Sequence, residues 1–387
     1  MKLASRMDNF EDGIFNVLNE KKNKLIKEGK EVFNLSIGTP DFEPDDHVMT
    51  ALSDSAKNPK DYVYSLGIID ELYEAVINWY KNRYNVEISR DEIMAVNGSQ
   101  EGFAHVALPF LNPNDVILVP NPGYPVFEFG PMLCSAKVKY YDLYPENNYL
   151  PDLDNFDKNL AKEAKVMVVS YPLNPVCKTA PRSFYEKLVK FAKDNDIIII
   201  HDNAYSDIIY DGREGLSFLS VEGAKDVGFE FNSLSKTYNL TGARISFAIG
   251  NKEMISAFTK VRNQIDYGIF IPIQRAAVAA LNGPQDSVKN RCDEYERRRN
   301  ALCDGLTKIG WPVTRSEGSM FVWAKIPEGF GSSEEFVITL MEKTGLICTP
   351  GSAFGSLGEG YVRFALVKPV EEIEKIIQVV DESGMFK

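Results

Sequence analysis

The sequence predicts an α/β fold: a large domain with a mostly parallel seven-stranded sheet flanked by helices, and a smaller α+β domain beside it. Three observations carry this. The 387 residues exceed one ordinary compact unit and suit a domain of over about 200 residues with a smaller companion. Apolar residues make up 44% of the chain and charged residues 25%, the balance of a globular protein able to bury a substantial core. The central part alternates short apolar strands with helical segments, and unbroken runs such as "IIII" suggest strands buried on both faces.

In chain order, "VFNLSIGTPDFEPDD" is a strand followed by a proline-punctuated loop, and the segment to about residue 46 should pack with the C-terminal part. "EIMAV" then "GSQEGFAHVALPFL" reads as strand then helix. "DVILVP", "KVKYYDL" and "KVMVVSYP" are short apolar strands bounded by turn residues. "SFYEKLVKFAKDND" places Phe184, Leu188 and Phe191 on one helix face. "IIIIHDNAY", "VGFEFNSLS" and "RISFAIG" complete seven candidate strands. Past "AALNGPQDS" come a long charged helix, "KNRCDEYERRRNALCDGLTKIG", then "SMFVWAKI", the helix "SEEFVITLMEKTG" and the strand "GYVRFALV". The turn Asn282-Gly283-Pro284 is the natural boundary, giving a large domain at 47–283 and a small one from 1–46 and 284–387.

The net charge of −12 and scattered basic residues argue against nucleic acid as a partner. The N-terminus lacks the apolar core of a signal peptide, and no apolar run approaches the roughly 20 residues of a membrane span, so a cytoplasmic protein is expected. Five widely spaced cysteines without a C-x-x-C pair make disulfides and a metal site unexpected. Three histidines, far apart in sequence, give little support to a Ser-His or Cys-His nucleophile system.

Ligands of open α/β sheets bind beyond the carboxyl ends of the strands. After "EIMAV", Gly98 permits a sharp turn, and Ser99 and Gln100 open a helix whose free N–H groups suit a phosphate, although a plain turn reads as well. "NPGYPVF" fixes Tyr124, either to stack on a flat heterocycle or simply to pack. Asn174 in "LNPVCKTA" is a strand-end amide or a turn asparagine. Asp202 follows four isoleucines and a histidine; a carboxylate there needs a cationic partner, or else it caps a helix. A protonated ring nitrogen would serve, with Tyr205 nearby to bond another ring substituent. In "FNSLSKTYNLTGARISF", Lys236 near a buried site can form a Schiff base with an aldehyde, and Arg244 can grip a phosphate bidentately.

These segments resemble the fold-type-I pyridoxal-phosphate enzymes and, among them, the class I/II aminotransferases. The resemblance runs from "LSIGTPDF" through "GSQEG", "PGYP", "YPLNP", "DNAYSDIIYDG" and "SLSKTYNLTGAR" to "YVRFALV". It implies that Lys236 holds the pyridoxal aldehyde, Asp202 pairs with the pyridine nitrogen, and Tyr205 and Asn174 bond the phenolic oxygen. Tyr124 stacks on the ring, Ser99, Gln100, Ser233 and Arg244 hold the phosphate, and Arg363 with Gly38 and Asn174 takes the substrate α-carboxylate. Family members are homodimers with active sites at the subunit interface. In "DYVYSLGIIDEL", Tyr62 aligns best with the tyrosine that reaches the neighbour's cofactor phosphate, with Tyr64 the alternative. "NQIDYGIFIPIQRAAVAAL" and "YERRRNALCDGL" look most like the branch of alanine-forming and LL-diaminopimelate aminotransferases. Cys177 stands where the family usually has glycine, and His201 precedes the cofactor aspartate as a supporting or a core histidine.

The expected activity is ping-pong transfer of an amino group between an L-amino acid, of alanine, glutamate, aspartate or LL-diaminopimelate type, and a 2-oxo acid such as 2-oxoglutarate. The same cofactor site also serves β-elimination, so a C–S lyase is the alternative. A non-catalytic sensor is disfavoured by the missing basic DNA-binding module.

Overall fold

The computed structural model of the chain describes residues 3–10 and 14–386. A two-residue strand, β1 (Phe33–Asn34), precedes the seven strands of the large sheet. Those are β2 (Ile93–Val96), β3 (Val116–Asn121), β4 (Lys137–Asp142), β5 (Ala164–Ser170), β6 (Ile198–Asn203), β7 (Gly228–Ser233) and β8 (Ser246–Gly250). In space they run β2-β8-β7-β6-β5-β3-β4. Only β8 is antiparallel to its neighbours, β2 and β7. The carboxyl ends of β3, β5, β6 and β7 therefore share one edge, and the reversed β8 begins at that same edge. Strands β3 and β7 are buried along their whole length, which is why they carry no polar alternation.

Helices pack both faces. On one lie Phe184, Leu188 and Val189 of the helix Arg182–Asn195 with Leu72, Val76 and Tyr80 of Asp70–Tyr84. On the other, Phe103 and Phe127 meet Phe231 and Phe258.

A second core gathers Leu18, Leu25 and Leu35 with Trp311, Phe336, Phe364 and Ile376. It is built on an antiparallel sheet of β9 (Phe321–Lys325), β11 (Thr349–Pro350) and β12 (Tyr361–Ala365), while β10 (Leu346–Ile347) pairs in parallel with β1. This pairing ties the N-terminal segment to the C-terminal part, as its sequence suggests.

Several bounds differ from expectation. The helix after β2 stops at Val106, because Pro109 lacks an N–H and clashes with the preceding turn. The strand in "VFNLSIG" is only two residues long, since the backbone beyond it turns to face the site. The charged helix starts earlier, at Asp286, and runs to Lys308. All five cysteines are free. Among the described residues no helix is long and apolar enough to cross a membrane, and no His, Cys, Asp and Glu cluster suits a metal ion.

Candidate active site

The shared strand edge, the loop after β1 and the middle of β12 surround one cavity of about 650 Å³. Gly38 comes from the loop after β1, Arg363 from the middle of β12, Ser99 and Gln100 from the helix after β2, and Tyr124 from the turn after β3. Asn174 follows β5, Asp202 and Tyr205 lie on and after β6, Ser233 ends β7, and Lys236 and Arg244 fall between β7 and β8. All eleven line this one cavity. A separate cavity of about 310 Å³, beside β2 and the helix Lys252–Arg262, contains none of them.

Asp202 is 8% exposed, and its Oδ1 has no hydrogen-bond partner. Burial pushes its carboxyl up to about 7, toward the neutral form. A buried acceptor without a donor is a place for a ligand N–H, and a cationic one would return the carboxyl to its ionised state. Lys236 Nζ donates to the Gly38 carbonyl at 2.7 Å. Burial first, then the charges of Arg363 and Arg244, lower this amine to about 8.

The Arg363 guanidinium donates from Nη1 to Asn174 Oδ1 at 2.9 Å and from Nη2 to the Ser36 carbonyl at 3.0 Å. Its Nε has no partner, and burial lowers its pKa to about 10. The guanidinium lies over the Phe321 ring, 4.1 Å from the centroid. Burial also raises the Tyr124 and Tyr205 phenols, so both stay protonated.

At the cavity's other end, Ser233 Oγ accepts from Ser246 Oγ at 2.9 Å and from the Ser235 N–H at 3.2 Å. Gly98 has φ +84° ahead of the helix Ser99–Val106, and a Cβ there would overlap the Arg244 guanidinium. Helix N–H groups, two hydroxyl-bearing turns and a guanidinium thus converge in a cradle suited to a phosphate.

Tyr62 and Tyr64 lie outside the cavity. Tyr62 is exposed, with its hydroxyl donating to the Ala56 carbonyl at 2.8 Å and its ring edge on Phe270 at 5.2 Å. Tyr64 is exposed too, against Tyr267 at 5.3 Å. His201 is a satisfied core residue: its buried ring lies between Tyr185 Oη and Glu230 Oε2, each at 3.2 Å. Cys177 takes φ +60°, the region glycine favours, and is fully buried.

Sequence reasoning missed Phe321, Ser36 and Thr349 around Arg363. Phe321 is also the reason residue 38 is glycine, since a Cβ there would collide with its ring. An aromatic opening a strand is the only local signal for Phe321; Ser36 and Thr349 act through chain pairings that leave none.

The aminotransferase class I and II family matches residues 30–380. A curated LL-diaminopimelate aminotransferase of Halothermothrix orenii is 40% identical over 387 residues, covering 100% of this chain and 99% of that protein. One of Aquifex aeolicus is 40% identical over 362 residues, 93% of each chain. A substrate-bound BacF structure from Bacillus subtilis superposes with a TM-score of 0.94 at 34% identity, covering 99% of this chain and 98% of that one. The chain belongs to the class I and II aminotransferases, and it is a pyridoxal-phosphate-dependent aminotransferase of fold type I.

Proposed function

We propose that this enzyme moves an amino group from an L-amino acid of LL-diaminopimelate type to a 2-oxo acid such as 2-oxoglutarate, with Lys236 and Asp202 at the centre of the chemistry. The observation that carries the assignment is the buried, unpartnered Asp202 Oδ1 in the same cavity as an amine whose pKa is depressed. Pyridoxal phosphate, when bound, supplies the electron sink that makes the substrate α-proton removable.

The chain's own residues do the rest. Asp202 would hold the ring nitrogen protonated by charge pairing, and Tyr205 Oη and Asn174 would bond the ring's oxygen substituent. Tyr124 would cover a ring face. Ser99, Gln100, Ser233 and Arg244 would hold the phosphate and so keep the group oriented in the cavity. Arg363 and Asn174 grip the substrate α-carboxylate near Gly38, a bidentate recognition that a planar guanidinium suits. Lys236 Nζ, freed by the incoming amino group, would be the base that takes the proton from the substrate Cα and the acid that delivers it to the cofactor's C4′ carbon, acid–base work of typically about 10²–10⁴-fold. With its pKa at about 8, an appreciable share of this amine is neutral at ordinary pH.

The LL-diaminopimelate donor rests on the full-length relatives at 40% identity. Among the described residues lining the cavity, Asp202, Lys236, Arg244 and Arg363 are the ionic groups, and each already has a task. The remaining wall, with Ile37, Val126, Phe129 and Phe354 beside the hydroxyls of Thr39 and Thr241, has no charged partner for the donor's distal ammonium and carboxylate. A second subunit therefore completes the pocket. A homodimer is part of the proposal, supported by the exposed aromatics Tyr62, Tyr64, Tyr267 and Phe270. So are a division into 47–283 and 1–46 with 284–387, supported by two cores whose buried residues mix across it only where Trp323 and Phe354 join the first and Cys177, Tyr205, Ile208 and Tyr210 the second, and a cytoplasmic location, which suits five free thiols.

The test is spectroscopic. Alanine, glutamate, aspartate and LL-diaminopimelate are added singly to the purified holoenzyme without any oxo acid. LL-diaminopimelate is expected to convert the visible band to the near-ultraviolet aminated form at the lowest concentration, and 2-oxoglutarate to restore it. Conversion by another donor alone would overturn the substrate assignment, and an unchanged band in Lys236→Ala would overturn the lysine's.

A further inference from the structure

The residue that follows Lys236 is held from two sides. Thr237 Oγ1 donates to Asp207 Oδ2 at 2.9 Å, and Asp207 Oδ1 accepts from Arg83 Nε at 3.0 Å. The Thr237 carbonyl accepts from Arg291 Nη2 at 3.1 Å. Arg291 also donates from Nη1 to Asp45 Oδ1 at 3.0 Å, and Ser287 Oγ donates to Asp45 Oδ2 at 2.7 Å. Burial alone would raise the Asp45 carboxyl, but the bonds from Arg291 and Ser287 outweigh it and hold it below its ordinary value.

Arg291 is buried, lies on the helix Asp286–Lys308 and does not line the cavity. Its two contacts nevertheless meet again there. Asp45 ends the loop that begins at Ser36 and carries Gly38, and the Gly38 carbonyl accepts from Lys236 Nζ. Lys236, Thr237, Arg291, Asp45 and Gly38 form a closed circuit in which one guanidinium ties the lysine's backbone to the loop opposite it. A buried guanidinium is costly to desolvate, and replacing such ion pairs by apolar groups is often neutral or stabilising, so stability alone is a weak reason for this one.

We propose that Arg291 is a positioning residue for Lys236, fixing through Thr237 and Asp45 the separation between the lysine amine and the loop at 36–45. The proposal rests on the assignment of Lys236 as the cofactor lysine, and it adds a requirement from outside the cavity. Besides the Lys236–Gly38 bond, the two loops are joined by Asn239 Nδ2 donating to the Glu43 carbonyl at 3.4 Å; Arg291 supplies the charged bridge between them, so loosening it lets them part and admits water to the amine. The charges that add to burial in lowering the amine, Arg363 and Arg244, remain in place; Asp202 lines the same cavity, and Asp45, with His47 near it, lies beside Arg291.

The experiment compares wild type, Arg291→Met, Arg291→Lys and the double variant Arg291→Met/Asp45→Asn. Borohydride fixation of the cofactor to the Lys236 peptide in wild type comes first. If it labels a different lysine, the lysine assignment fails and this proposal falls with it. Next, the pH dependence of acetic-anhydride labelling of Lys236 is read in the cofactor-free protein, alongside kcat, KM and Tm of the holoenzyme.

In Arg291→Met the labelling midpoint should rise by at least about half a unit toward the ordinary lysine value as the amine gains water. The kcat should fall about tenfold, from misplacement of the base, with KM within about twofold because the Arg363 grip is untouched. Arg291→Lys should recover part of both, since an ammonium can meet one of the two acceptors but not span them as a fork does. The double variant removes the uncompensated carboxylate, so Tm should return while the midpoint and kcat stay shifted. Recovery of all three together would make Arg291 merely structural and overturn the proposal, as would a wild-type midpoint and kcat in Arg291→Met.

Discussion

Asp202 and Lys236 line the same cavity, and burial drives both toward their neutral forms. The cofactor-free protein carries this as a pH-dependent handicap whose sign is fixed by linkage. Asp202 has its folded pKa raised from 3.8 to about 7, so the folded state binds that proton more tightly than the unfolded state. Its contribution is fully present below about pH 4 and is lost as pH rises through 7. Cofactor-free wild type should therefore lose Tm relative to Asp202→Asn between about pH 4 and 7; parallel Tm curves would show that the carboxyl is not held neutral. For Lys236, lowered from 10.5 to about 8, the burial cost is present below about pH 8 and disappears as pH rises through 10.5. Arg363 acts by shape as well as charge. Arg363→Lys keeps the cation but loses the fork that spans Asn174 and the Ser36 carbonyl, and it weakens the stacking on Phe321. The expected result is a kcat/KM about 10–100-fold lower, carried mainly by KM, with the visible absorption band unchanged. A loss confined to kcat would place Arg363 elsewhere than on the carboxylate.

At the scale of elements, the turn after β5 joins the site to the second core. Cys177 sits there with φ +60°, its N–H donating to the Leu173 carbonyl at 2.6 Å and its own carbonyl accepting from Glu317 N–H at 3.0 Å. A left-handed non-glycine residue costs about 1–2 kcal/mol, whereas losing the buried CH₂–SH costs a similar amount in burial and packing. Cys177→Gly should thus leave Tm nearly unchanged, while Cys177→Ala gives up burial without relieving the backbone and should be the less stable by about 1 kcal/mol. Thermal melts of the two variants decide this, and an alanine variant as stable as the glycine one would show that the backbone is not strained. The same region marks where the sequence stops being readable. Strands β5 and β6 are legible because burial on both faces demands unbroken apolar runs, and Asp202 and Lys236 are legible because polar groups at the ends of such runs are conspicuous. The direction of β8 is not, since "RISFAIG" reads the same either way; yet its reversal is what brings Arg244 to the site edge. Ser36 and Thr349 reach Arg363 from pairings 327 and 14 residues away in sequence, through a carbonyl and a hydroxyl that no local pattern singles out.

At the scale of the whole molecule, the chain presents Tyr62 (61% exposed), Tyr64 (80%) and Leu66 (82%) beside Tyr267 (58%) and Phe270 (41%). Tyr62 packs on Phe270 and Tyr64 on Tyr267, so these side chains form two exposed aromatic pairs from the same two segments on a protein of net charge −12. Soluble monomers rarely leave such a patch open, and a two-fold axis through it would bury the same surface on both subunits. If the tyrosine of this segment reaches into the neighbour's cavity, the defects of two inactive variants must separate when they pair. Lys236→Ala has no lysine in its own cavity but a sound Tyr62 to lend; Tyr62→Phe has a sound lysine but nothing to lend. Their heterodimer would hold one cavity with both defects and one with neither. Random reassortment of equal amounts makes half the dimers mixed, and half the cavities in those are intact. Mixing the variants after dissociation should then restore about a quarter of wild-type activity from two nearly inactive preparations. Were Tyr62 to serve its own chain, every cavity in the mixture would keep one defect and no activity would return; rescue with Tyr64→Phe in place of Tyr62→Phe would move the role two residues along the same segment.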